Sequence, residues 1–180
     1  MNNSTEGVTL SSAFVKDIID LYEGKDSLQQ ELKKMADGLD LSNPMKFVPI
    51  DVYNSMCNWI ESQIGQVNTK RLGRKIGATA YSGMLANNLI TNDAKPLQMM
   101  EGLAKVASMM IKDPEGRGWD ILESGPKHII MRRTQTFNST LQFGLLDELV
   151  RKTKVLSPKV EYLKSVADGD EFDEYKISWI

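Results

Sequence analysis

Residues 119–133 read WDILESGPKHIIMRR. Trp119 and Ile121 alternate with polar neighbours, and His128 to Arg133 is an isoleucine-rich run of extended character. Ser124-Gly125-Pro126 between them has turn chemistry, so the stretch predicts two strands joined by a reversal. Just beyond it, Ser139 and Gln142 stand at capping-box spacing before Leu141, Leu145, Leu146, Leu149 and Val150, which predicts a helix. Pro158 then opens a run with Val160, Tyr162 and Val166, and Asp168-Gly169 reads as a hairpin turn. Tyr175, Ile177 and Trp179 alternate with Glu174, Lys176 and Ser178, which predicts a last strand.

Everything upstream of Asp113-Pro114 has helical period. Phe14, Ile18, Leu21 and Tyr22 predict a helix over 9–23, and Ser27 to Ala36 a short second one. Asn43-Pro44 marks a loop. Pro49 suits the first turn of a third helix, with Val52, Tyr53, Met56, Trp59, Ile60 and Ile64 on one face and Gly65 as its stop. Thr69 is placed as the cap of a fourth helix that buries Leu72, Ile76, Thr79, Ala80 and Met84. Gly73 and Gly77 share a face of it and permit close approach of another helix. A last helix of this half, about 95–111, carries the stripe Leu97, Met100, Leu103, Ala104, Ala107, Met110 and Ile111. The expected fold class is α+β: an N-terminal helical half followed by a β-β-α-β-β antiparallel sheet unit. Residues 1–8 are expected to be a mobile N-terminus, and 9–180 one sensor-like domain.

Bulk properties narrow the function. A chain of 180 residues with 41% hydrophobic and 26% charged residues is globular, and a net charge of −2 gives no footprint for nucleic acid. No apolar run approaches the roughly 20 residues that span a bilayer. The polar start Asn2, Asn3, Ser4, Thr5, Glu6 has no secretory-signal character, so a cytoplasmic location is expected. One cysteine, Cys57, forbids an internal disulfide and a multi-cysteine metal site.

No catalytic constellation emerges. Cys57 has no cationic neighbour in sequence to activate it, and its expected role is structural. His128 lies on a predicted strand, where packing or surface exposure is the plain reading and a switch or ligand role the sharper one. The acids Asp168, Asp170, Glu171, Asp173 and Glu174 read as a solvated hairpin and lack the spacing of a calcium loop. Glu115-Gly116-Arg117-Gly118 is not a P-loop. Lys70, Arg71, Arg74 and Lys75 form a basic cluster: an anion- or partner-binding patch on one reading, a solvated face on the other. Arg132 and Arg133 make a smaller cluster on a strand. Four of the ten methionines, Met99, Met100, Met109 and Met110, lie on one helix and suit either core filling or an adaptable pocket.

The stretch Leu97-Gln98-Met99-Met100-Glu101-Gly102-Leu103-Ala104 through Met109-Met110-Ile111-Lys112 resembles the proximal helix of the haem nitric oxide/oxygen-binding domains. Gln142 to Leu146, Pro158 to Val166, Asp168-Gly169-Asp170 and Tyr175 to Trp179 resemble the later part of the same superfamily, which also holds 4-vinyl reductase domains, vesicle-transport (TRAPP) subunits and small bacterial members of unassigned function. The resemblance implies a sensor-like fold across 9–180. It departs where iron would be held, because Ala104 stands at the position of the axial histidine. The strand His128 to Gln135 also lacks the Tyr-x-Ser-x-Arg propionate clamp. A methyl group cannot ligate iron. The resemblance therefore implies a haem-free, non-enzymatic ligand-sensing or protein-interaction module in bacterial signalling. Its expected pocket is Leu97, Met100, Leu103, Ala104, Ala107 and Met110, taking a small apolar ligand and answering to a signalling partner. No metal and no cofactor are expected. The alternatives are a haem-based gas sensor with His128 or a methionine as unconventional axial ligand, and a homodimer-type scaffold with no ligand.

Overall fold

The computed structural model describes residues 4–135 and 137–180. The chain begins with strand β1 (Thr9–Ser11), then helices α1 (Ser12–Asp20) and α2 (Asp26–Met35), strand β2 (Phe47–Pro49) and the long helix α3 (Ile50–Ala86). Helix α4 (Pro96–Met110) runs directly into strand β3 (Ile111–Lys112). The second part is β4 (Trp119–Gly125), β5 (His128–Arg133), α5 (Ser139–Lys152), β6 (Lys159–Lys164) and β7 (Asp173–Ser178). The α+β class and the β-β-α-β-β order are as expected. The four strands form one antiparallel sheet in the order β4-β5-β7-β6.

Register places the core. Ile129 pairs with Ile177 and Met131 with Tyr175, and all four are buried on the inner face. The pleat sends alternate residues to one side, so Arg133, two beyond Met131, is carried to that inner face as well. Helix α5 lies between the sheet and α3, with Leu141, Leu145, Leu146, Leu149 and Val150 all buried. One glycine pair, Gly73 and Gly144, brings α3 and α5 together. A Cβ on Gly73 would lie 2.1 Å from the Leu141 carbonyl oxygen, and one on Gly144 would lie 2.1 Å from that of Lys70.

Several local expectations change. Helix 9–23 is shorter: Thr9–Ser11 pairs with β2 and β3 in a three-stranded antiparallel sheet, and the Ser11 hydroxyl caps α1 by accepting from Ala13 N–H. Strands of two or three residues are too short to show a period. Gly65 does not end a helix; it takes φ 73°, ψ 167° and kinks α3, whose second half continues to Ala86. Thr69 is correspondingly no cap but a buried interior residue whose hydroxyl donates to the Gly65 carbonyl at 3.1 Å. The cap of α5 is Asn138, not Ser139: its side chain accepts from Leu141 N–H at 2.8 Å. Ser139 instead donates to Asp173 at 2.5 Å. Asp168-Gly169 is not a two-residue hairpin, because a short 3-10 turn over Val166–Asp168 precedes Gly169 (φ 98°) in a longer connection. Of residues 1–8, residues 1–3 lie outside the described residues; the Ser4 carbonyl accepts from Arg117 at 2.7 Å and Val8 is buried.

Candidate functional site

α1, the second half of α3, α4 and the inner face of β5 do not close completely on one another. Between them is a cavity of about 220 Å³. Its walls are mostly apolar: Phe14, Ile76, Ala80, Leu103, Val106, Ala107, Met110 and Leu145, with Trp119 and Phe137 at the sheet side. Thr79 and Asn87, both exposed, mark its rim. Asp17, Tyr53, Arg133 and Gln142 are the inner polar residues.

Arg133 is only 3% exposed. Its guanidinium carbon lies 4.4 Å from the Phe137 ring centre and 5.0 Å from that of Trp119. These are cation–π distances. Nη2 donates to Gln135 Oε1 at 2.7 Å, while Nε and Nη1 are sealed from solvent and have no hydrogen-bond acceptor. Burial pushes the guanidinium down to about 9, with nearby Tyr175, Tyr53 and Asp113 opposing, so it is still charged at neutral pH. Asp173 stands opposite Arg133 in the β5–β7 register, but its carboxylate accepts from Ser139 Oγ and Val166 N–H instead. Gln135 passes the contact on, donating to Asp113 Oδ2 at 2.9 Å. Asp113 in turn holds Arg117 through Nε at 2.8 Å. A chain of polar contacts thus runs from the cavity to the loop before β4 and, through Arg117, to the Ser4 carbonyl.

Tyr53 is wholly buried, its ring edge-on to Phe14 and Phe137 at 5.8 and 5.9 Å. Burial raises its hydroxyl well above the ordinary range, with Cys57 adding to the shift. Asp17 is pushed up by burial and by the charge of Asp20. Cys57 is fully buried, and burial pushes its thiol up to about 12. Native protein is therefore expected to resist thiol reagents at pH 8, with the one thiol appearing only on denaturation. A thiol assay run with and without denaturant checks this.

Of the six pocket residues expected from sequence, Leu103, Ala107 and Met110 line the cavity. Met100 is fully buried in the core, outside the lining. Leu97 is 37% exposed. Ala104 lies on a separate open hollow over β4, beside Glu101, Lys105 and Arg132. The basic cluster is spread out: Arg74 pairs with Asp147 at 2.5 Å, Lys70 lies 4.1 Å from the Phe143 ring centre, Arg71 donates to Asn68, and Lys75 is exposed. His128 begins β5 at the far end from Arg133, its Nε2 2.7 Å from Glu123 Oε1. Among the described residues no group of three or more His, Cys, Asp and Glu side chains is placed to hold a metal ion, and no helix is long and apolar enough to cross a membrane.

No family model matches the chain, and no curated protein matches its sequence. Solved structures do. An Fe(II) unliganded H-NOX protein from K. algicida superposes with a TM-score of 0.64 at 14% identity, over 95% of this chain and 97% of its own. An H-NOX mutant from T. tengcongensis gives 0.59 at 16% identity, over 93% of each chain. A structure described as probing heme distortion in the H-NOX family gives 0.65 at 14% identity, over 94% of this chain and 95% of that one. Identity this low with coverage this complete speaks to architecture alone: the chain has an H-NOX-like fold.

Proposed function

We propose that this chain is a non-enzymatic sensing module that receives a small, largely apolar ligand in the cavity between its helices and its sheet. The observation that carries the reading is the position of that cavity. α1, α3 and α4 form one side of it, Arg133 and Trp119 of the sheet the other, and the Arg133–Gln135–Asp113–Arg117 contacts lead away from it. A ligand that binds one arrangement of these layers better than another shifts the balance between them, and a signalling partner or second copy would read the shift. Neither Cys57, which is buried with a raised pKa, nor His128, which meets Glu123, lies on the cavity wall.

Structural neighbours are described with heme and Fe(II). The residues around this cavity do not fit that group. Histidine is absent from α4, and His128 is not on the cavity wall. Tyr53 is held as a neutral phenol by burial, which disfavours it as an iron ligand. The 220 Å³ volume is also small beside the roughly 300–1,000 Å³ of ordinary cofactor and drug-sized sites.

Thermal shift tests the reading. A fitting ligand at about a hundred times its Kd is expected to raise Tm by roughly 5–10 °C. Ala107→Trp, which fills the cavity, is expected to abolish that rise. Silence across small aromatic and short-chain compounds, or an unchanged response in Ala107→Trp, refutes it. So does a sharp Soret band on adding haem.

A further inference from the structure

We propose that the ligand of this cavity is a small monocarboxylic acid, its apolar body against α4 and its carboxylate on Arg133. The inference rests on the sensing reading above and names the chemistry of the molecule sensed.

A guanidinium inside a protein normally has a carboxylate partner, because an uncompensated buried charge is costly. Arg133 forms no ion pair among the described residues, and two of its nitrogens lack an acceptor. Two neighbouring carboxylates are committed elsewhere: Asp173, opposite in the register, to Ser139 and Val166, and Asp113 to Arg117 and Gln135. Asp17, the carboxylate on the cavity wall, makes no ion pair with Arg133, and burial moves it toward the neutral acid.

The rings of Phe137 and Trp119 lie close to the guanidinium. A planar head arriving at the guanidinium edge suits this arrangement, since carboxylates bind arginine in its own plane. The head takes the place of the Gln135 amide at Nη2 and gains the unpartnered Nη1 beside it. Gln135 also touches Asp113, so the same displacement loosens the polar chain leading to Arg117. The remaining wall (Ile76, Leu103, Ala107, Met110) is apolar, and 220 Å³ holds one ring or a short chain.

Calorimetry on the whole protein at pH 7, using two matched pairs, tests the assignment. The probes are 3-phenylpropionate against 3-phenylpropionamide, and hexanoate against hexanol. Each acid is expected to bind at least about tenfold more tightly than its neutral partner, the scale of a charge-assisted hydrogen bond. Arg133→Gln is expected to erase that preference while still binding the neutral compounds, and Arg133→Lys to keep part of it. The wild-type comparison stands even if Arg133→Gln does not fold. Equal affinity within each pair overturns the carboxylate proposal and leaves the sensing reading intact. A preference that survives in folded Arg133→Gln overturns the role of Arg133. No binding by any of the four, in wild type and Ala107→Trp alike, overturns the proposal and counts against the sensing reading with it.

Discussion

Gly144→Ala is expected to destabilise the protein by about 3 kcal/mol or more, lowering Tm by roughly 6–12 °C. The added methyl would sit 2.1 Å from the Lys70 carbonyl oxygen, 2.9 Å from the Lys70 carbonyl carbon and 3.0 Å from Gly73 Cα. All three are backbone atoms, so no side chain can rotate away; α3 and α5 must separate. That separation opens gaps around Leu72, Leu141 and Leu145, which are packed on both sides of the contact. Better helix propensity for alanine offsets only about 1 kcal/mol. Gly83→Ala is the control. It lies in the same helix α3 with nothing within 4 Å of its Cβ position, so the propensity gain should appear alone, as up to about 1 kcal/mol of added stability. Chemical denaturation of the two variants beside wild type separates close approach from general sensitivity to helix glycines. A Gly144→Ala protein as stable as wild type would mean that the helices do not touch as described.

The second large effect concerns the link between the cavity and the loop before β4. Asp113 and Arg117 have side chains only 2% and 3% exposed, and Asp113 also accepts from Gln135 and from Glu115 N–H. Asp113→Ala removes one member of a buried ion pair and takes from Arg117 its close carboxylate; Glu115 Oε2 stands farther off at 3.8 Å. A loss of about 3–5 kcal/mol is expected. The change should also show in the pH profile. Burial raises the Asp113 pKa, but hydrogen bonds from Arg117, Gln135 and Glu115 and the Arg117 charge outweigh it, and the net native value lies below the ordinary one. A carboxyl depressed in the native state contributes stability above its unfolded pKa, near 4, and loses it as pH falls through the native value. Wild type should therefore lose part of its stability below about pH 4 that Asp113→Ala has already lost. Urea midpoints of the two proteins between pH 2.5 and 6 check this; parallel curves would refute it.

Patterns that extend over five or more residues were legible before any coordinates. The alternation in β5 and β7, the leucine spacing of α5 and the glycine pair on α3 point directly to the β-β-α-β-β order of elements and to a close helix contact. Short strands were not legible, because Thr9–Ser11 and Ile111–Lys112 gain their structure from partners far along the chain. The kink at Gly65 shows a related limit. A positive-φ glycine can stop a helix or bend it, and here the continuation depends on α3 reaching α5 with Gly73 and Gly77. The helical period marks one stripe on α4, of which Leu103, Ala107 and Met110 line the cavity, while Ala104 of the same stripe turns toward β4. Arg133 was within reach. Ile129 and Met131 show which side of β5 is buried, and the two-residue period puts Arg133 on that side. Its lack of a carboxylate partner could not be read, because it depends on how Asp113 and Asp173 are spent.

Helix α5 packs against α3 on one side and the sheet on the other. A ribosome that has made residues 1–138 has therefore released most of α1–α4 with the inner surface of α3 bare, Leu72, Ile76 and both of its contact glycines included. During synthesis that apolar surface has no cover until α5 emerges, an interval in which partly made chains are prone to aggregate.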